Sequence, residues 1–372
     1  MIGGLIKRYK WHTFRKRFDE LRLSPILDYS CYCQQTPDSN SEKAKTFRFV
    51  GGFESITDGQ TLWIRSEDLT VPVSLQNAET YLLPIQKSIP SGETIPVDPS
   101  DEAPEKIRWE RVSALTVGAR VFVGGLLVCQ NGRWSFVSTK ENPLIVIFYD
   151  GPDHSLTTQT IRAGRQRGEY WNAITPYALI IGALCQIIIA ALFLSRPAFR
   201  LTVIVSIMAL FVPLYPAIPP GLLFTVVYRR LTWMSRILRA YRDLARLPLR
   251  YLDPLKDSSC LLPSGERYGF IRSAELPPQA QEGAIPLLLP EFRKAKSGHR
   301  MWYIFGALQP GEELPSQPKD AFATFGIIPG EPETIARHCQ IKAYALEFAA
   351  WILLIAGIGL NIFFLRMILV LL

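Results

Sequence analysis

From Ala173 to Leu194 the chain reads AITPYALIIGALCQIIIAALFL, 22 residues without a charge. At about 1.5 Å per residue such a run crosses the ~30 Å hydrocarbon core of a bilayer, and this predicts a transmembrane helix over 172–195. A second uncharged run, Leu201 to Tyr228, has Pro213, Pro216, Pro219, Pro220 and Gly221 in its middle. A regular helix would lose backbone hydrogen bonds there, so 200–228 is expected to be a kinked span or a re-entrant pair of half-helices. A third run, Phe348 to Leu365, is bracketed by Glu347 and Arg366. Upstream of it, Gly330 breaks the chain and Pro332 suits a first helical turn, so 332–366 is expected to be one long helix that includes the third span.

The formal net charge of +8 fits nucleic-acid binding and basic membrane flanks equally well, and the distribution of the charge decides between them. Arg162, Arg165 and Arg167 precede the first run, and seven arginines with one acid, Asp243, fill 229–250 after the second. No secretory signal peptide is expected in the basic segment 1–45. The positive-inside rule then places the soluble parts in the cytoplasm. In 229–250 an apolar side (Leu231, Met234, Ile237, Leu238, Tyr241, Leu244, Ala245) faces away from Arg236, Arg239, Arg242 and Arg246 at helical spacing. This predicts an amphipathic helix lying on anionic headgroups, with Trp233 and Tyr241 at the interface.

Residues 46–151 carry short alternating runs separated by Gly-centred turns: TFRFVGGFESI, TLWIRS, VPVSL, ARVFVGGLLV, WSFVS and PLIVIFYDG. The order of a double-glycine strand, a hairpin, a third strand and then LTVGARVFVGGLLVCQNGRWSFV resembles an OB-fold barrel. Oligomer binding on such barrels uses exposed aromatic and basic side chains. Trp63 and Arg65, two apart on one strand face, with Phe53 and Trp134, are the candidates for holding a partner. The loop after Pro84 is acidic and repels phosphate, which disfavours nucleic acid. Residues 251–331 are Pro-rich and mixed, with strands expected at RYGFIRSAE and HRMWYIFGAL.

Catalytic patterns are not found. The four histidines, His12, His154, His299 and His338, lie outside metalloprotease or hydrolase motifs, and the Gly-Gly pairs lack the context of a phosphate loop. Cys31 and Cys33 with His338 and Cys339 lack zinc-site spacing, so no metal and no cofactor is expected. Scattered cysteines read as reduced thiols. Within the spans, Gln186, Asn361, Gly357 and Gly359 are expected to serve helix packing. The expected fold class is an α+β membrane protein with about three spans, an OB-like barrel domain and a second mixed soluble domain. The expected function is a non-catalytic scaffold or assembly protein that presents the barrel to a protein partner, or to a second copy, near anionic lipid. The alternatives are a homo-oligomeric channel or transporter subunit lined by the second span, and a membrane-tethered nucleic-acid or peptide binder.

Overall fold

The computed structural model describes residues 2–34, 45–58, 60–66, 69–83, 105–106, 119–130, 133–162, 175–194, 203–205, 221–252, 259–278, 285–289, 301–311 and 313–371. Two compact units form, one from residues 10–167 and 243–336, the other from 1–9, 168–242 and 337–372.

The first unit is built on a closed five-stranded β-barrel. Its strands are β1 (Lys45–Thr57), β2 (Thr61–Arg65), β3 (Thr70–Ser74), β6 (Arg120–Gln130) and β7 (Arg133–Val137). They pair in the order β1-β2-β3-β7-β6, and β6 returns to β1 to close the ring. All contacts are antiparallel except β3 with β7, which is parallel at Val73 and Phe136. Period-two alternation turns Phe47, Phe49, Leu62, Ile64, Val71, Val73, Val121, Val123 and Phe136 into the barrel. Three further strands, β8 (Ile145–Tyr149), β4 (Glu79–Leu82) and β5 (Glu105–Lys106), extend the sheet beyond β6.

The Gly-Gly pairs sit where strands change partners. Gly51 precedes the point at which β1 passes from β6 to β2, and a Cβ there would lie 2.4 Å from the Arg65 carbonyl oxygen. Gly125 lies where one flank of β6 changes from β8 to β7, and its Cβ would lie 2.5 Å from Leu144 Cδ1. Only glycine permits both approaches.

A second apolar layer covers β8 and β4. Helix α1 (Ile2–Arg22) buries Phe14, Phe18 and Leu21, spaced at helical period, against Tyr81, Phe122, Ile145, Ile147 and Tyr149. Strand β8 is thus buried on both faces, as its unbroken IVIFY run requires. A short helix, α2 (Tyr29–Gln34), precedes β1, and after β8 come a helix, α3 (Asp153–Arg162), and later a four-stranded antiparallel sheet in the order β12-β11-β10-β9. Those strands are β9 (Ser259–Leu261), β10 (Arg267–Ser273), β11 (Trp302–Ala307) and β12 (Gly326–Pro329). Ile285, Ile304 and Ile327 form its core.

The second unit is helical. Its described elements include α4 (Thr175–Leu194), α5 (Gly221–Arg246, whose last residues belong to the first unit) and α6 (Pro332–Leu371, which enters after Ala336). Gly330, at φ 107°, turns the chain ahead of α6 in a backbone region that favours glycine, and Pro332 and Glu333 occupy the helix's first turn.

Of the three expected spans, one helix among the described residues is long and apolar enough to cross a membrane, Pro332–Phe364 within α6. In α4 the corresponding apolar stretch, Ile180–Phe193, falls short of that length. Most of the expected second span, 206–220, lies outside the described residues. Residues 221–246 form one continuous helix, so the expected boundary between a run ending at 228 and a separate helix from 229 is not a break in the backbone. With the prolines all behind it, nothing from Gly221 onward interrupts the backbone ladder.

Candidate functional site

Two buried arginines organise the barrel's outer wall. Arg48 on β1 donates from Nε to the Ser24 carbonyl at 2.8 Å and from Nη1 to Asp320 Oδ1 at 3.0 Å, and Nη2 completes the pair with Asp320 Oδ2. Both side chains are 1% exposed. The Arg48 guanidinium also lies 5.1 Å from the Phe322 ring centroid. Arg22, fully buried at the end of α1, bonds Asp19 Oδ1 at 2.8 Å and the Phe322 and Leu247 carbonyls at 3.4 Å. Tyr251 Oη donates to that same Phe322 carbonyl at 3.0 Å. The segment around Phe322 is therefore pinned to α1 and to β1 by charge-assisted bonds.

Beside this network opens a cleft of about 790 Å³. Phe49, Phe53, Leu69 and Phe322 give it apolar walls, and its rim bears Asp28, Glu54, Arg65 and Lys319. At one end Arg120 forms a two-point pair with Asp153, and Tyr149 Oη donates to Asp153 Oδ1 at 2.6 Å. Burial, reinforced by this bond, holds the Tyr149 phenol protonated far above its ordinary range. The hydrogen bond to Asp153 likewise raises Arg120. Tyr149, Asp153 and Arg120 thus form one hydrogen-bonded cluster at that end of the cleft. Arg65 and Lys319 are exposed and make no ion pair among the described residues. The rim thus carries both cations and carboxylates.

The candidate partner residues divide. Arg65 is exposed on the cleft rim, and Trp63, half-buried on the same strand face, donates from Nε1 to Thr57 Oγ1. Phe53, expected on a docking face, is 5% exposed and belongs to the barrel core while also lining the cleft. Trp134 is half-buried against that same core. Arg48 and Asp320 went unmarked in the sequence, since a polar residue opposite Phe47 and Phe49 reads as solvent-facing until the covering segment, 272 residues away, is known.

In the helical unit, α5 packs antiparallel on α6. Ser235 Oγ donates to the Ala343 carbonyl at 3.0 Å, Arg239 pairs with Glu347 and lies 5.5 Å from the Tyr344 ring centroid, and Tyr228 meets Trp351 edge to face at 6.1 Å. A Cβ at Gly357 would lie 2.7 Å from Phe224 Cβ. The residues expected to face lipid differ in their exposure. Tyr241 is 1% exposed, Arg239 pairs with Glu347 of α6, and Arg236, Arg242 and Arg246 are half-buried. Trp233 is exposed. Gln186 is half-buried on α4, Asn361 is buried, and Gly359 has open space around it.

Among the described residues no group of three or more His, Cys, Asp or Glu side chains is placed to hold a metal ion. Comparison with protein-family models, curated proteins and solved structures finds no match to the chain.

Proposed function

We propose that this protein is a membrane-anchored, non-catalytic scaffold that holds a β-barrel near the inner leaflet and offers its cleft to a protein partner. One observation carries the reading: α6 is a single uninterrupted 40-residue helix whose first half bears Glu333, Arg337, Lys342 and Glu347 and whose second half is apolar but for Asn361 and Arg366, with large apolar side chains exposed among the described residues. At about 1.5 Å per residue it is ~60 Å long, twice the hydrocarbon thickness, so one half suits water and the other lipid. Ile352, Ile355, Phe363 and Phe364 are large exposed apolar side chains, which lipid would cover.

In this proposal α4 and residues 201–228 also cross the membrane, giving three spans with the barrel in the cytoplasm. Exposed Ile180, Ile181, Leu184, Ile187, Ile188 and Leu192 on α4 support that assignment. The five-stranded closed order, with its parallel β3–β7 contact, supports an OB-like binding barrel, and Trp63, Arg65 and the cleft rim are its docking face. Lipid headgroups are the second partner.

The test uses the purified full chain in liposomes and single introduced cysteines in intact cells. A scaffold gives no ion flux above protein-free vesicles, and a cysteine at Ser55 in the barrel is shielded from an impermeant thiol reagent until the cells are opened. Flux would replace this reading with the channel alternative, and labelling of Ser55→Cys from outside would move the barrel to the opposite side.

A further inference from the structure

Helix α5 offers a second stripe, separate from the residues that touch α6. Leu223, Val226, Val227, Arg230, Trp233 and Met234 follow one another at helical spacing, and the large apolar members are all exposed, Leu223 at 68% and Trp233 at 48%. Arg229 adjoins Arg230, and both are exposed. Neither makes an ion pair among the described residues, whereas Arg239 does. Two cations thus stand at the end of an exposed apolar track with an indole one turn beyond them.

The α5–α6 packing sets the depth of this site. Tyr228 contacts Trp351, and the twenty residues of α6 from Ile352 to Leu371, whose one charge is Arg366 toward the far end, cover ~30 Å, the thickness of a hydrocarbon core. Tyr228 and Trp351 therefore fall at its edge, where aromatic side chains concentrate. Arg229 and Arg230 fall at phosphate level, with Leu223, Val226 and Val227 beneath them.

We propose that this stripe binds an anionic phospholipid. An acyl chain lies along Leu223, Val226 and Val227, the Arg229 and Arg230 guanidinium groups take the phosphate through paired N–H donors, and Trp233 packs over the headgroup. The proposal rests on the membrane reading above and gives it a defined lipid contact, distinct from the half-buried arginines further along α5. Lipid, not free phosphate, is the occupant, because the apolar track requires a chain to cover it.

The test measures lipid retention on the purified full chain by native mass spectrometry, after carbonate washing of membranes has established that each variant stays inserted. The wild type is expected to retain phosphatidylglycerol over phosphatidylcholine by roughly 30-fold, the combined effect of two cations at about 1 kcal/mol each. R229Q/R230Q abolishes the preference and R229K/R230K keeps most of it. R337Q/K342Q removes the same charge from exposed positions on the first half of α6 and leaves the preference intact. Preference unchanged in R229Q/R230Q, or lost equally in R337Q/K342Q, overturns the site, as does displacement of the lipid by inorganic phosphate alone. Wild type that washes off with carbonate sinks the membrane reading itself; wild type that stays inserted but shows no preference sinks only the lipid site.

Discussion

Arg48 shows how a single charged side chain can hold distant parts of a chain together at high stakes. Its guanidinium engages the Ser24 carbonyl, both Asp320 oxygens and the Phe322 ring. Asp320 in turn accepts from the Phe322 backbone N–H at 3.0 Å. Replacing Arg48 by leucine would leave a carboxylate that is 1% exposed without its cation, a change that costs about 3–5 kcal/mol. We therefore expect Arg48→Leu to lower the urea midpoint of the barrel-bearing unit sharply in the full chain. Adding Asp320→Asn should recover part of that loss, because a neutral amide can be buried more cheaply than a carboxylate and its oxygen can still accept from Phe322. A double variant no more stable than the single would show that the pair is not coupled in this way. A sequence can present Arg48 only as one polar letter among aromatics. Its partner is fixed by tertiary approach, and no periodicity encodes that.

At the scale of the element, legibility followed local period. Leu62 and Ile64 point into the barrel and Trp63 and Arg65 away from it, as strict alternation in TLWIR requires, and the strands at 267–273 and 302–307 fall inside the runs that suggested them. Helix α1 carried an equally clear signal, Phe14, Phe18 and Leu21 at helical spacing, but the surrounding lysines and arginines made the segment read as a basic tail. The amphipathic pattern of α5 was legible, and what covers it was not, because Ser235 and its acceptor Ala343 are 108 residues apart. An amphipathic helix specifies that one side is covered, and lipid or another helix satisfies the pattern equally well. Gly357 makes the helix choice testable. Its missing Cβ gives Phe224 room, so Gly357→Val should force α5 and α6 apart and destabilise the pair by about 1–3 kcal/mol. Gly359, with nothing within 4 Å, should accept alanine without loss. Thermal unfolding of both variants in detergent checks this, and equal midpoints would argue that α5 and α6 are not packed through Phe224.

The scale of the whole molecule turns on what surrounds the second half of α6. In water, Phe363 would be one more exposed aromatic at 62%, and exchanging it for arginine would change stability by no more than about 0.5 kcal/mol. In a bilayer the same position lies twelve residues beyond Trp351, ~18 Å from the interface and near the middle of the hydrocarbon. An arginine there opposes insertion by about 2.5–3.5 kcal/mol. Phe363→Arg is thus expected to shift a large share of the full chain into the carbonate-soluble fraction, or to lower its level in membranes, while the barrel-bearing unit keeps its own core. Ile341→Arg supplies the comparison: it is 60% exposed on the same helix, ten residues before Trp351, and should leave membrane retention unchanged. Because aqueous and lipid surroundings predict different results at residue 363 and the same result at residue 341, the pair separates anchoring from a general effect of added charge. If Phe363→Arg remains as firmly in the membrane as the parent chain, α6 is not the anchor, and the role of membrane-held scaffold loses its main support.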